Sequence, residues 1–141
     1  MKDTLENLLN APRKVSFEGV VSAGLGEGAY YVKEYEGRIF KRLGFKPYPG
    51  TLNVRLGRSP QDLLRYTTVE VLGFEKDGRR YGVIRFAKAK IAYGRKEVEC
   101  FFVLPERTHH REEAEFISKE NLRSLLGISD GSKVRVSFVV K

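Results

Sequence analysis

Three glycines at alternate positions, Gly24, Gly26 and Gly28, surround one carboxylate, Glu27, in the stretch VVSAGLGEGAYYV (residues 20–32). Glycines let a backbone approach a ligand closely and reach φ > 0. Successive N–H groups in such a loop can form a nest for an anion. The loop lacks the Lys-Ser/Thr ending of a P-loop. Glu27 would repel a phosphate unless a cation or a base amino group sits beside it. A plain tight turn and a phosphate cradle both fit these glycines, and glycine count alone leaves both open.

A second candidate is PYPGTLNV, Pro47 to Val54. Thr51 and Asn53 are two apart, so an extended backbone points them to one side. Their oxygens are hard, neutral ligands of the kind that Mg²⁺ accepts alongside water and phosphate. The bland alternative is a turn in which both side chains bond local backbone. In PERTHHREEAEFI (105–117), His109 and His110 are adjacent and not four apart, which argues against a zinc pair. Glu112, Glu113 and Glu115 in the same run are candidate general bases, although charge runs are usually just solvated. In SKENLRSLLGISDG (118–131), Asn121 and Arg123 are placed to reach a ligand near the start of a helix.

These residues need elements to hold them. Leu5, Leu8 and Leu9 have helical spacing, so 3–10 reads as a short helix ended by Pro12. VSFEGVV (15–21) reads as a strand leading into the glycine loop. Tyr35, Ile39, Phe40 and Leu43 form one helical face, with Gly44 as C-cap. LNVRL is a short strand. Ser59-Pro60 opens a short helix over 60–65. From Val69 onward strands dominate: VEVLGF and RYGVIRF around Asp77-Gly78, a hairpin signal, then KAKIAY and EVECFFVL around Gly94-Arg95, and AEFI. A helix from Ser118 to Gly127 presents Leu122, Leu125 and Leu126 to the core, and KVRVSFVV turns Val134, Val136, Phe138 and Val140 one way. The pattern gives six or seven strands with a few peripheral helices. A small β-barrel fits it better than a doubly wound sheet.

Composition narrows the classes. The chain has 141 residues, with 41% hydrophobic residues and a net charge of +8, which suits one domain with a real core. No apolar run reaches the roughly 20 residues of a membrane helix, and the N-terminus lacks a secretory h-region. No membrane partner is expected, and a cytoplasmic address follows by default. Cys100 is the sole cysteine, which excludes an internal disulfide, and its apolar neighbours make it a buried thiol. The positive charge suits an anionic partner. Its basic pairs are scattered over turns and helix ends and form no stripe.

Taken together, SAGLGEGAYYV, LGFKPYPGTLNVRL, LPERTHH…EFI and ENLRSLLGISDG resemble, in order and spacing, the archaeal CTP-dependent riboflavin kinases. The resemblance runs from about Val15 to Lys141. It implies a mainly β fold, a six-stranded β-barrel of the cradle-loop (RIFT) type, and transfer of the CTP γ-phosphate to the riboflavin 5′-hydroxyl to give FMN and CDP. It carries nucleotide contacts onto Leu25, Gly26, Glu27, Gly28, Ala29 and Tyr30, with a second segment at Glu120, Asn121, Leu122 and Arg123. It carries the Mg²⁺ ligands onto Thr51 and Asn53, and the flavin contacts onto Thr108 and Glu115. Glu115 would bond the ribityl chain or take the 5′-hydroxyl proton. Tyr30, Tyr31 and Phe45 could cover a ring, although core packing is the better prior for each. Members often carry an added N-terminal helix-turn-helix domain. Here residues 1–14 are expected to form only a helical extension, with 15–141 as the kinase barrel. The rival reading is a non-catalytic β-barrel that binds nucleic acid, which requires basic and aromatic residues interleaved on a strand face; the kinase reading expects no nucleic acid and, by default, a monomer.

Overall fold

The computed structural model describes residues 13–24, 28–106 and 112–140. The helix expected at 3–10 lies outside them. The elements are β1 (Arg13–Ser22), α1 (Gly28–Leu43), β2 (Leu52–Arg55), a 3₁₀ helix (Pro60–Tyr66), β3 (Val69–Val71), β4 (Phe74–Lys76), β5 (Arg79–Tyr81), β6 (Ile84–Tyr93), β7 (Lys96–Pro105), β8 (Glu113–Ile117), α2 (Leu122–Leu126) and β9 (Lys133–Val140). All strand pairings are antiparallel.

Six strands close a barrel in the order β6-β7-β8-β2-β1-β9, with β9 returning to β6 at Lys90–Ala92. The other half of the same β6 edge, Ile84–Phe86, pairs with β3. Closure leaves few exposed edges. Alternation explains which residues fill the interior. Ala87, Ala89 and Ile91 of β6, Cys100, Phe102 and Leu104 of β7, Ala114 and Phe116 of β8, and Val134, Val136 and Phe138 of β9 all point inward. The expected buried thiol is confirmed, and its surroundings push the Cys100 pKa up.

A second cluster lies on the outside of the same wall. Val32, Tyr35 and Ile39 of α1 pack with Ile84, Phe86, Val103 and Ile117. The β6–β8 wall is therefore covered on both faces, which is why ECFFVL reads as a continuous apolar run. The β4–β5 hairpin forms a separate two-stranded sheet on this outer layer. Its Asp77 and Gly78 have φ of 53° and 74°, as a primed two-residue turn requires.

Several details differ from the sequence reading; VEVLGF and RYGVIRF, for instance, are each split into two strands, β3 and β4, and β5 and the start of β6. α1 begins at Gly28, seven residues before the first apolar position of the expected face, and Phe40 is 56% exposed. The helix after β8 starts later than Ser118: Asn121 is its cap, with Oδ1 accepting from the Ser124 N–H. Ser118 instead accepts through Oγ from the Glu120 N–H. Leu125 lies at the surface while Leu122 and Leu126 are buried, because five residues of helix turn only a narrow stripe inward.

Candidate functional site

The sites suggested by sequence meet on the outer face of the barrel where β1, β2 and β8 run side by side. Register places Ser22 opposite Asn53, and Asn53 opposite Glu115. Leu52 and Val54 go into the core, so alternation turns Thr51 and Asn53 outward together. Thr51 Oγ1 donates to Glu115 Oε1 at 3.3 Å. Register also separates the three glutamates. Glu113 pairs with Arg55 at 3.6 Å, and the Glu112 carbonyl accepts from the Leu56 N–H. Of the three, Glu115 is the one beside Thr51 and Asn53.

The two described ends of the glycine stretch, Gly24 and Gly28, come down on these same residues. Gly24 has φ of 69° and lies so close to the Asn53 side chain that a Cβ would collide with it. A Cβ on Gly28 would sit 2.5 Å from Thr51 Oγ1 and 3.1 Å from the Thr51 backbone nitrogen. Gly28 is also the first residue of the 16-residue α1. The N–H groups of Gly28, Ala29 and Tyr30 thus belong to a first helical turn, which has no intrahelical acceptors and carries the positive end of the helix dipole. Leu25, Gly26, Glu27 and Thr108 lie outside the described residues.

The second expected segment closes the opposite side. Arg123 Nη2 donates to the Ser22 carbonyl at 3.2 Å and to Asp130 Oδ1 at 2.7 Å, which ties α2 to the strand end that enters the glycine loop. Ser22 Oγ is itself buried with no hydrogen-bond partner among the described residues. Between the Tyr48–Leu52 segment and the Phe116–Arg123 stretch lies an open pocket of about 140 Å³. Thr51, Glu120, Asn121, Leu122 and Arg123 all line it. Tyr48 also lines it, and the motif reading did not single out this residue; its signal is an aromatic between two prolines, next to Thr51.

The Tyr30 side chain points to the β4–β5 hairpin. Its hydroxyl lies 2.9 Å from that of Tyr81 and accepts from Arg79 Nη1 at 3.0 Å. What Tyr30 can give the loop side is its backbone N–H. The hydrogen bond with Tyr30, which favours the neutral Tyr81 hydroxyl, followed by burial and the nearby Glu34 charge, pushes the Tyr81 phenol up to about 12. A tyrosine raised in the fold contributes stability below its unfolded value near 10, and that contribution is lost as pH climbs to about 12. Tyr30→Phe is expected to bring the Tyr81 titration back toward 10 in an ultraviolet pH titration. An unmoved titration would rule out the hydroxyl pair as its cause.

Phe45 stacks on Phe101, with centroids 5.5 Å apart, and so serves packing. The phenylalanines Phe86, Phe102, Phe116 and Phe138 of the barrel strands are fully buried, so they offer no stacking faces to a nucleic acid. No helix among the described residues is long and apolar enough to cross a membrane.

Comparison with known proteins places the chain in a family. The family model CTP-dep_RFKase, described as a domain of unknown function (DUF120), matches residues 21–138. A riboflavin kinase of Thermococcus kodakarensis is 39% identical over 99% of this chain and 66% of its own length. One of Pyrococcus furiosus is 40% identical over 93% and 62%, and one of Pyrobaculum islandicum 35% identical over 100% and 67%. The chain thus spans only part, 62–67%, of the length of these three relatives. With the family model covering most of the barrel, this chain belongs to the CTP-dep_RFKase family.

Proposed function

We propose that the chain is a CTP-dependent riboflavin kinase, forming FMN and CDP from riboflavin and CTP. One observation carries the reading: Gly24 and Gly28, the latter opening the first turn of α1, converge on Asn53 and Thr51, with Glu115 hydrogen-bonded to Thr51. Phosphoryl transfer demands positioning and charge neutralisation more than covalent chemistry. The first-turn amides of Gly28, Ala29 and Tyr30, continuing the loop Leu25–Glu27, hold the phosphates. Glu120–Arg123 bound the nucleotide on the other side. Thr108 and Glu115 bind the flavin, and Glu115 receives the proton of the 5′-hydroxyl as the new P–O bond forms.

The residues present fit a divalent cation. Thr51 and Asn53 offer oxygens from one face, Glu115 adds a carboxylate beside them, and the orphan Ser22 Oγ lies on the neighbouring strand. Among the described residues no group of three or more His, Cys, Asp or Glu forms a dedicated cage. An oxygen-only, sparsely charged donor set of this kind suits Mg²⁺, which keeps water and shares phosphate oxygens. Bound there, Mg²⁺ would supply charge neutralisation at the phosphates.

The test is turnover of riboflavin with each nucleoside triphosphate and Mg²⁺, read as FMN by chromatography. CTP is expected to support rapid turnover and ATP far less, since no Walker-type lysine follows the glycine loop. Equal turnover with ATP would refute the donor assignment, and absence of FMN with every nucleotide would refute the kinase reading.

A further inference from the structure

Resting on that reading, we infer that Tyr48 is the residue that selects cytosine over uracil in the nucleotide, acting through a donor pair it forms with Asn121. The pocket between Tyr48 and Asn121 is about 140 Å³, well below the ~300–1,000 Å³ of an ordinary small-molecule site. It therefore takes one part of a ligand. It begins at Thr51, beside the phosphate site, and ends at Asn121 and Arg123. A nucleoside extending from phosphates at Thr51 puts its base in this direction.

The hydrogen bonds fix what the pocket presents. Asn121 Oδ1 accepts from the Ser124 N–H as a helix cap, which orients the amide so that Nδ2 faces Tyr48. That Nδ2 donates to the Tyr48 hydroxyl at 3.2 Å. The tyrosine oxygen has then accepted a hydrogen bond, and its own proton remains to be given, as does the second Nδ2 proton. The pair offers two neighbouring donors. Cytosine carries adjacent acceptors at N3 and O2, whereas uracil carries an N3–H that would meet a donor. The backbone that carries the ring is fixed: Pro47 and Pro49 flank Tyr48, and the Tyr48 N–H donates to the Ser118 carbonyl at 2.8 Å. Tyr48 is nonetheless 45% exposed and stacks on no other ring among the described residues. An aromatic face left open at a pocket mouth suits a base.

The experiment compares the full chain with Tyr48→Phe and Tyr48→Leu, titrating CDP and UDP by calorimetry and riboflavin by fluorescence quenching. Tyr48→Phe keeps the ring and removes the donor. It is expected to weaken CDP about tenfold, the order for one hydrogen bond, while UDP and riboflavin are unchanged. Tyr48→Leu should weaken both nucleotides by a further ~tenfold through lost stacking. Tyr48 lies at the surface, so thermal melting should show both variants folded; an unfolded Tyr48→Phe would overturn the inference by making the hydroxyl structural. An unchanged CDP-to-UDP ratio in a folded Tyr48→Phe overturns it and leaves the kinase reading standing. A wild-type protein that binds no CDP overturns both.

Discussion

Gly28→Ala is expected to lose CDP binding and turnover by about a hundredfold, and Gly28→Val by more. The first atom either variant adds would sit 2.5 Å from Thr51 Oγ1 and 3.1 Å from the Thr51 backbone nitrogen. The backbone atom cannot swing aside, so the loop must lift or Thr51 must leave Glu115. Displacements of about 1 Å at a reacting centre cost on the order of a hundredfold. Helix propensity pulls the other way: Gly28 has helical φ at the start of α1, where alanine ordinarily stabilises by up to about 1 kcal/mol. The two effects separate cleanly. A protein that melts no lower than wild type but fails to bind CDP marks a glycine kept for contact. Wild-type CDP affinity in Gly28→Ala would reduce the loop to a turn. Riboflavin binding should weaken too, because Thr51 orients Glu115.

Thr51→Ala and Asn53→Ala should each cut turnover at least about tenfold, the lower end for loss of one charge-stabilising contact. Both side chains face away from the barrel interior, so melting temperature should hardly move. Thr51→Ser keeps the hydroxyl that donates to Glu115 and is expected to recover most of the rate. Rates near wild type at saturating Mg²⁺ in both alanine variants would sink the metal site. A rate restored by high Mg²⁺ in Asn53→Ala alone would assign Thr51 chiefly to Glu115.

Strands were readable where one rule decided them. KVRVSFVV alternates because β9 has one inner face, and Asp77-Gly78 marks its hairpin because few residue pairs accept two positive φ values. Thr51 and Asn53 fall on one side for the same periodic reason. Other features were decided by partners that the local sequence does not contain. Nothing local separates Glu113 from Glu115, which share a face; the opposing strand does, by offering Arg55 to one and Asn53 to the other. The start of α1 was hidden because glycine and paired tyrosines are poor helix formers, and tertiary packing of Val32, Tyr35 and Ile39 overrides them. Ser118 and Asn121 are both good caps by type. The Ser118 carbonyl is already taken by the Tyr48 N–H in the neighbouring turn, so the helix begins at the later one. Tyr48 escaped because an exposed tyrosine in a turn carries no periodic signal.

The β4–β5 hairpin is a separate small sheet beside α1. Lys76 reaches Glu34 at 2.9 Å, Arg38 covers the Phe74 ring at 3.5 Å, and Tyr35 donates to the Gly82 carbonyl at 2.7 Å. None of these contacts involves the closed barrel of strands. Helix and hairpin are thus tied to each other, while Val32, Tyr35 and Ile39 of the same helix are buried against the outer barrel face, so opening this layer must also uncover that face. The ligand-facing end of α1 belongs to this helix–hairpin layer. A nucleotide bound at Gly28 would stabilise that layer by mass action, and the barrel would gain only what the shared face at Ile84, Phe86, Val103 and Ile117 passes on.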